Sequence, residues 1–90
     1  MKIEELHEIL KKSHNKYVRD IEAVNGFDPS LGPDYKEFYI IKKNLTIVIT
    51  QLDGRDYFEF WVQNDDEGEG CTIGDAMEGT KVIDLVNLIM

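Results

Sequence analysis

Residues 65–70, Asp-Asp-Glu-Gly-Glu-Gly, form the densest set of potential hard-cation ligands in the chain. With Asp65, Glu67 and Glu69 on the first three ligand positions of a calcium loop, Gly70 falls correctly on the sixth. The twelfth position, where a bidentate Glu must close the coordination sphere, is then Ala76. Starting two residues earlier places Gln63 first and Gly74 last, which is worse. The sequence therefore predicts a solvated acidic turn and no metal. His7 and His14 fall on one helical stripe, about 10 Å apart along its axis. That is too far to share an ion, and only Glu4 is placed to join His7, so both read as surface or boundary histidines. Cys71, the single cysteine, has no partner within the chain and lies near a possible helix start, where a dipole could lower its pKa. It lacks any recognisable base or oxyanion donor, and a small, partly buried side chain is expected there. No catalytic residue and no cofactor is predicted, and the chain does not read as an enzyme.

What the residues offer instead is charge. Eight Lys/Arg balance eight Asp/Glu between positions 1 and 44, whereas positions 45–90 hold ten Asp/Glu against only Arg55 and Lys81. The whole net charge of −8 thus belongs to the second half. Its acidic cluster directly follows the most aromatic run, Tyr57-Phe58-Glu59-Phe60-Trp61-Val62. Such a field repels nucleic acid and attracts basic proteins. The basic residues of the first half, Lys11, Lys12, Lys16 and Arg19, alternate with carboxylates and lack interleaved aromatics, as a solvated helix face does.

Ninety residues, 42% of them apolar, make a single domain (1–90) with one core of limited depth. No apolar run reaches the length of a signal peptide core or a membrane span. The solitary cysteine fits a reducing, cytoplasmic setting.

These functional residues need a scaffold. Ile3, Leu6, Leu10, Tyr17, Ile21 and Val24 recur at helical spacing, predicting an N-terminal helix with Asn25-Gly26 as its stop. Ser13-His14-Asn15 interrupts that stripe. Phe27 to Tyr35, with two prolines and a glycine, reads as an irregular connection. Leu45–Leu52 and Arg55–Gln63 flank Asp53-Gly54, the signal for a type I′ hairpin. That turn would pair Leu52 with Arg55, Ile49 with Phe58, Ile47 with Phe60 and Leu45 with Val62. A strand over Lys36–Lys42 joins through Lys43-Asn44, setting Phe38 and Ile40 beside Ile49 and Ile47. Gly68, Gly70, Gly74 and Gly79 break any long helix, so a short turn is expected at Asp75–Glu78. Thr80 would then cap a final helix, Lys81–Met90, apolar enough that even its last turn requires cover. The expected fold is α+β in the order αβββα: a three-stranded antiparallel sheet with both helices on its Leu45/Ile47/Ile49 face.

The opposite face would carry Tyr39, Ile41, Val48, Tyr57 and Trp61, with Glu59 among them and the acidic cluster at one end. Contiguous apolar area of this kind marks an interface, with Tyr and Trp as the usual anchors, unless the Phe27–Tyr35 connection or another subunit covers it. The expected partner-binding residues are Asp53, Asp56, Tyr57, Glu59, Trp61, Asp65, Asp66, Glu67 and Glu69. In topological order the chain resembles a double-stranded-RNA-binding domain, but its final helix starts with only Lys81 as a basic residue. Charge also argues against direct nucleic-acid binding. In size, acidity and helix–strand–helix order it resembles small phage-encoded anti-CRISPR and anti-restriction inhibitors, without a shared motif. That resemblance implies an inhibitor that blocks a basic nucleic-acid-handling enzyme, by presenting carboxylates where its channel expects phosphates. An immunity or antitoxin protein neutralising a toxin, and a homodimeric structural or regulatory domain, are the other expectations.

Overall fold

The computed structural model describes residues 1–25, 34–64 and 69–90, the last range without the side chain of Glu69. The element order is α1 (Ile3–Ser13), β1 (Glu22–Val24), β2 (Tyr35–Lys42), β3 (Leu45–Leu52), β4 (Phe58–Asn64), β5 (Glu69–Met77) and α2 (Gly79–Ile89). The class is α+β, but the sheet is five-stranded and antiparallel throughout, in the simple order β1-β2-β3-β4-β5. Two strands more than the expected three come from segments whose sequence reads otherwise.

The first is the back half of the predicted N-terminal helix. Helix α1 stops at Ser13 because Ile3, Leu6 and Leu10 are buried, while the next stripe positions hold polar Ser13 and His14. Its acidic first turn (Glu4, Glu5) and basic last turn (Lys11, Lys12) suit the helix dipole. The chain then extends. Val18 bridges Ile40, the Arg19 N–H donates to the Tyr39 carbonyl at 2.8 Å, and the Ile41 N–H donates to that of Tyr17 at 3.0 Å. Glu22–Val24 goes on to pair with Tyr35–Glu37. The β-branched Val18, Ile21 and Val24 suit a pleated surface better than a helix. The expected stop at Asn25-Gly26 falls at the limit of the described residues, and most of the Phe27–Tyr35 connection lies outside them. Tyr35 itself opens β2.

The β2–β3 hairpin has the expected register, Phe38 opposite Ile49 and Ile40 opposite Ile47, with Lys43 taking the positive φ (54°) of its two-residue turn. The β3–β4 register differs. Ile49 pairs with Phe60, Ile47 with Val62 and Leu45 with Asn64, each partner two residues beyond the one the type I′ turn would select. Gly54 has φ 78° but Asp53 does not share a positive φ, which excludes type I′. The Arg55 N–H donates to the Leu52 carbonyl at 3.1 Å to close the turn, and a longer connection runs to Phe58. A slip of two leaves every side chain on its predicted face, whereas a slip of one would have turned the strand inside out. It does remove Tyr57 from the strand: the residue lies in the connection, with the Arg55 guanidinium 5.9 Å from its ring centroid.

Strand β5 occupies the segment that glycine content marks as broken, including Asp75–Met77 of the expected Asp75–Glu78 turn. One of its glycines is required by its neighbour, and a second has a neighbour in the space its Cβ would take. A Cβ on Gly70 would fall 2.0 Å from the Trp61 indole, and one on Gly74 would fall 2.7 Å from the Met77 terminal methyl. A tryptophan laid across a neighbouring strand's glycine restores the packing that the glycine lacks. Register shifts between Phe58, Phe60 and Trp61 place extra residues on β5, bulges of the kind that discourage a sheet edge from adding further strands. Helix α2 is preceded by Glu78 in extended conformation, with no side-chain cap. Thr80 lies within its first turn and is not the cap. Gly79 begins the helix against Met1, where a Cβ would sit 2.4 Å from the sulfur.

Both helices cover the predicted core face. Phe38, Ile40, Ile47, Ile49, Phe58 and Phe60 are fully buried beneath Ile3, Leu6 and Leu10 of α1 and Val82 and Val86 of α2. Each such side chain contributes about 1.5–3 kcal/mol on burial. The last turn of α2 departs from expectation: Leu88 is 82% exposed and Ile89 39%. Leu88 falls one turn beyond Asp84 and two beyond Lys81, so it continues the polar stripe.

A buried amide joins the layers. Gln51, on the inner face of β3, accepts the Ile3 N–H through Oε1 at 2.8 Å and donates through Nε2 to the Met1 carbonyl at 2.9 Å. Lys2, at the local cap position, makes no side-chain cap bond, so β3 supplies the cap from 48 residues away. Gln51→Leu would leave a buried N–H unpaired and is expected to cost about 1–3 kcal/mol. Urea unfolding measures this, and an unchanged midpoint would contradict it.

Candidate functional site

The helices occupy one face of the sheet, so the outward side chains of β1–β5 form the other. The observed registers arrange them in rows that run across the strands. One row is Glu22, Glu37, Thr50 and Glu59; the next is Tyr39, Val48, Trp61 and Thr72; a third is Ile41, Thr46, Gln63 and Gly70. With neighbouring strands ~4.8 Å apart, Glu37 and Glu59 start about 10 Å from one another. Asp75 joins Glu59 at the rim of an open depression of about 610 Å³, floored by Tyr39, Val48 and Trp61. Trp61, Tyr39 and Val48 are half-buried, while Glu59 and Asp75 are exposed. No Lys or Arg stands at an outward position of β1–β5, but Arg19 is exposed beside Tyr39, next to the Val18–Ile40 bridge.

Like charges directly opposite one another, as in Glu22 and Glu37, destabilise a sheet. The lysines of this region are employed on the inner face instead. Lys36 Nζ pairs with Glu4 of α1 at 2.6 Å, and Lys42 Nζ donates to the Met90 carbonyl at 3.2 Å with the Tyr17 ring 5.3 Å away. The Lys36 hydrogen bond holds the Glu4 carboxyl below its ordinary 4.5. Its stabilisation is thus present at neutral pH and is lost as pH falls through that lowered value.

Tyr39 senses the outer field. Its phenol is raised above the ordinary 10.0, first by the charge of Glu37, then by burial and by its hydrogen bond to the Glu37 carboxylate. A phenol raised in the folded state leaves stability intact below pH 10 and erodes it above. Glu37→Gln removes the leading cause and should move Tyr39 ionisation back toward 10, as read by ultraviolet titration. A titration curve unmoved by that substitution would contradict the assignment.

Among the predicted partner-binding residues, Glu59 and Trp61 stand together on this face. Asp53 and Asp56 are exposed at the β3–β4 turn, at the end of the sheet nearest the start of α1. There they border a second cavity of about 390 Å³. Lys2, Lys36 and Arg55 line that cavity alongside Glu4 and Asp34, so it presents mixed charge and not a field of one sign. Tyr57 belongs to the connection described above. Asp65, Asp66 and Glu67 lie outside the described residues, and Glu69 opens β5 opposite Asn64. Glu22, Glu37 and Asp75 were absent from the prediction. Glu37 was legible, since it alternates with Tyr39 and Ile41, but Glu22 was assigned to a helix and Asp75 to a turn.

The residues examined for chemistry have structural roles or none. His7 Nε2 bonds the Arg19 carbonyl at 2.8 Å and its ring meets Phe38 edge-on at 4.9 Å. His14 Nε2 bonds Asn87 Oδ1 at 2.9 Å, tying the end of α1 to α2. Cys71 is exposed on β5 opposite Val62, not partly buried beside a helix start. Among the described residues no three His, Cys, Asp or Glu side chains gather as a metal site would require. Among the described residues no helix is long and apolar enough to cross a membrane. Compared with protein-family models, curated proteins and solved structures, the chain matches none of them.

Proposed function

We propose that this is a small acidic binding protein whose outer sheet face docks on a basic surface of another protein, acting as an inhibitor of a nucleic-acid-handling enzyme. The observation that carries this reading is the face itself: carboxylates of Glu22, Glu37, Glu59 and Asp75 around Tyr39, Val48 and Trp61, with both helices on the other side. Enzymes that grip phosphates expose the lysines and arginines such a surface attracts, and complementary fields speed their encounter.

Magnitudes limit how far this is mimicry of DNA. The longest dimension of the molecule is 36 Å, a length over which duplex DNA carries roughly 20 charges, against a net −8 here. Charge alone would lose that competition. Aromatic contact must supply part of the affinity, and Trp and Tyr are the residues that most often do so.

Affinity capture from host lysate, at low and at high salt, is the test. The expected result is a basic nucleic-acid enzyme retained at low salt and released at high salt. Capture of a secreted or injected toxin would instead make it an immunity protein using the same surface. Self-association alone, seen as a concentration-dependent mass in sedimentation, would replace the inhibitor with a homodimer.

A further inference from the structure

We propose that the depression across β2, β3, β4 and β5 is an arginine-binding site, which receives one arginine side chain from the partner. This rests on the reading of the outer face as the docking surface and specifies what the partner must bring to its centre.

Four features of the site favour that side chain. Its floor is aromatic and apolar, formed by Trp61, Tyr39 and Val48, and Trp61 is fixed from below by its packing on Gly70. A guanidinium is weakly hydrated and stacks on aromatic surface, where a compact ammonium retains its water. Two carboxylates, Glu59 and Asp75, stand at the rim on separate strands. Among the described residues the ion pairs are Lys11–Asp20 and Lys36–Glu4, and neither Glu59 nor Asp75 takes part in one. The hydroxyls of Thr50 and Thr72 complete the lining. A guanidinium offers five N–H donors in one plane; each carboxylate can take two of them in a bidentate fork, and a threonine hydroxyl can accept the fifth. Beyond Thr50 lies Glu37, with Glu22 across from it, so the potential falls toward the depression from the open side of the sheet. An anionic ligand would have to overcome that field, and a neutral one would gain nothing from it.

Trp61 is the only tryptophan, and its fluorescence reports directly on the site. The probe is an acetylated, amidated Gly-Arg-Gly peptide titrated at constant ionic strength, beside the same peptide with citrulline or lysine in place of arginine. A saturable change in Trp61 emission is expected with arginine, about threefold or more tighter than with lysine and absent with citrulline. Glu59→Gln and Asp75→Asn, both at exposed positions that leave the fold intact by circular dichroism, should each weaken arginine several-fold. The site is overturned if arginine gives no saturable change, if citrulline or lysine matches it, or if neither substitution affects it. Its failure is separable from that of the docking face: capture that requires Trp61 while the peptide does not bind removes the arginine site and keeps the face. A peptide that binds while capture is indifferent to the outer face does the reverse.

Discussion

Trp61→Ala is expected to weaken partner binding by about 30-fold or more, the loss of a 2 kcal/mol anchor. The indole is half-buried in the free protein and lies on the outer face between Val48 and Thr72 in its row, one strand in from the β5 edge. A residue so placed is held in position before the partner arrives, and little rotamer freedom is lost on binding. The same indole covers Gly70, so its removal also uncovers backbone on the edge strand and should lower thermal stability modestly. Trp61→Phe separates the two effects. It retains an aromatic surface over the glycine and should bind with intermediate affinity while melting close to the parent. Isothermal titration with the captured partner reads the first effect and calorimetric melting the second. An alanine variant that binds within about twofold would remove Trp61 from the interface, since genuine anchors cost at least about 2 kcal/mol on truncation.

Neutralising the outer carboxylates should move binding and stability in opposite directions. The quadruple variant Glu22→Gln, Glu37→Gln, Glu59→Gln, Asp75→Asn removes four of the eight net negative charges without touching the core. Relief of the Glu22–Glu37 repulsion is worth about 0.2–1 kcal/mol, and the melting temperature should rise by about 1–8 °C for a domain of this size. Partner association at low salt should slow by about tenfold or more as steering is lost. A fold that keeps mutually repelling carboxylates at a cost to its own stability is consistent with their use elsewhere. A variant that melts lower and binds unchanged would show those carboxylates to be structural.

The parts of this fold that could be read in the sequence were those set by alternation. Alternation together with the Asp53-Gly54 turn puts Phe38, Ile40, Ile47, Ile49, Phe58 and Phe60 on the core face, and all are fully buried. The two-residue error in the β3–β4 register did no harm there, because a period of two is blind to even slips. It did mislead about Tyr57, whose position depended on the turn. The N-terminal segment failed for a different reason. Tyr17, Ile21 and Val24 continue the helical spacing of α1 by coincidence, and nothing local shows that β2 offers Val18 and Glu22–Val24 an edge to join. Strand β5 was hidden by its glycines. Read locally they are breakers, yet Gly70 is small because the Trp61 indole fills the space beside it, a tertiary cause. The site followed the fold: Glu59 and Trp61 were legible because β4 was, while Glu22 and Asp75 awaited strands that sequence did not show.

The central claim, that the outer sheet face recruits a basic partner through its field, is tested most directly by the association rate constant as a function of salt. Stopped-flow mixing of the captured partner with the parent protein and with the quadruple variant would follow Trp61 emission. The parent rate should be high at low salt and fall steeply as the screening length shrinks from about 10 Å at 0.1 M toward about 3 Å at 1 M. The variant should begin lower, change little and converge on the parent at high salt. Equal rates and equal salt slopes for the two proteins would contradict it.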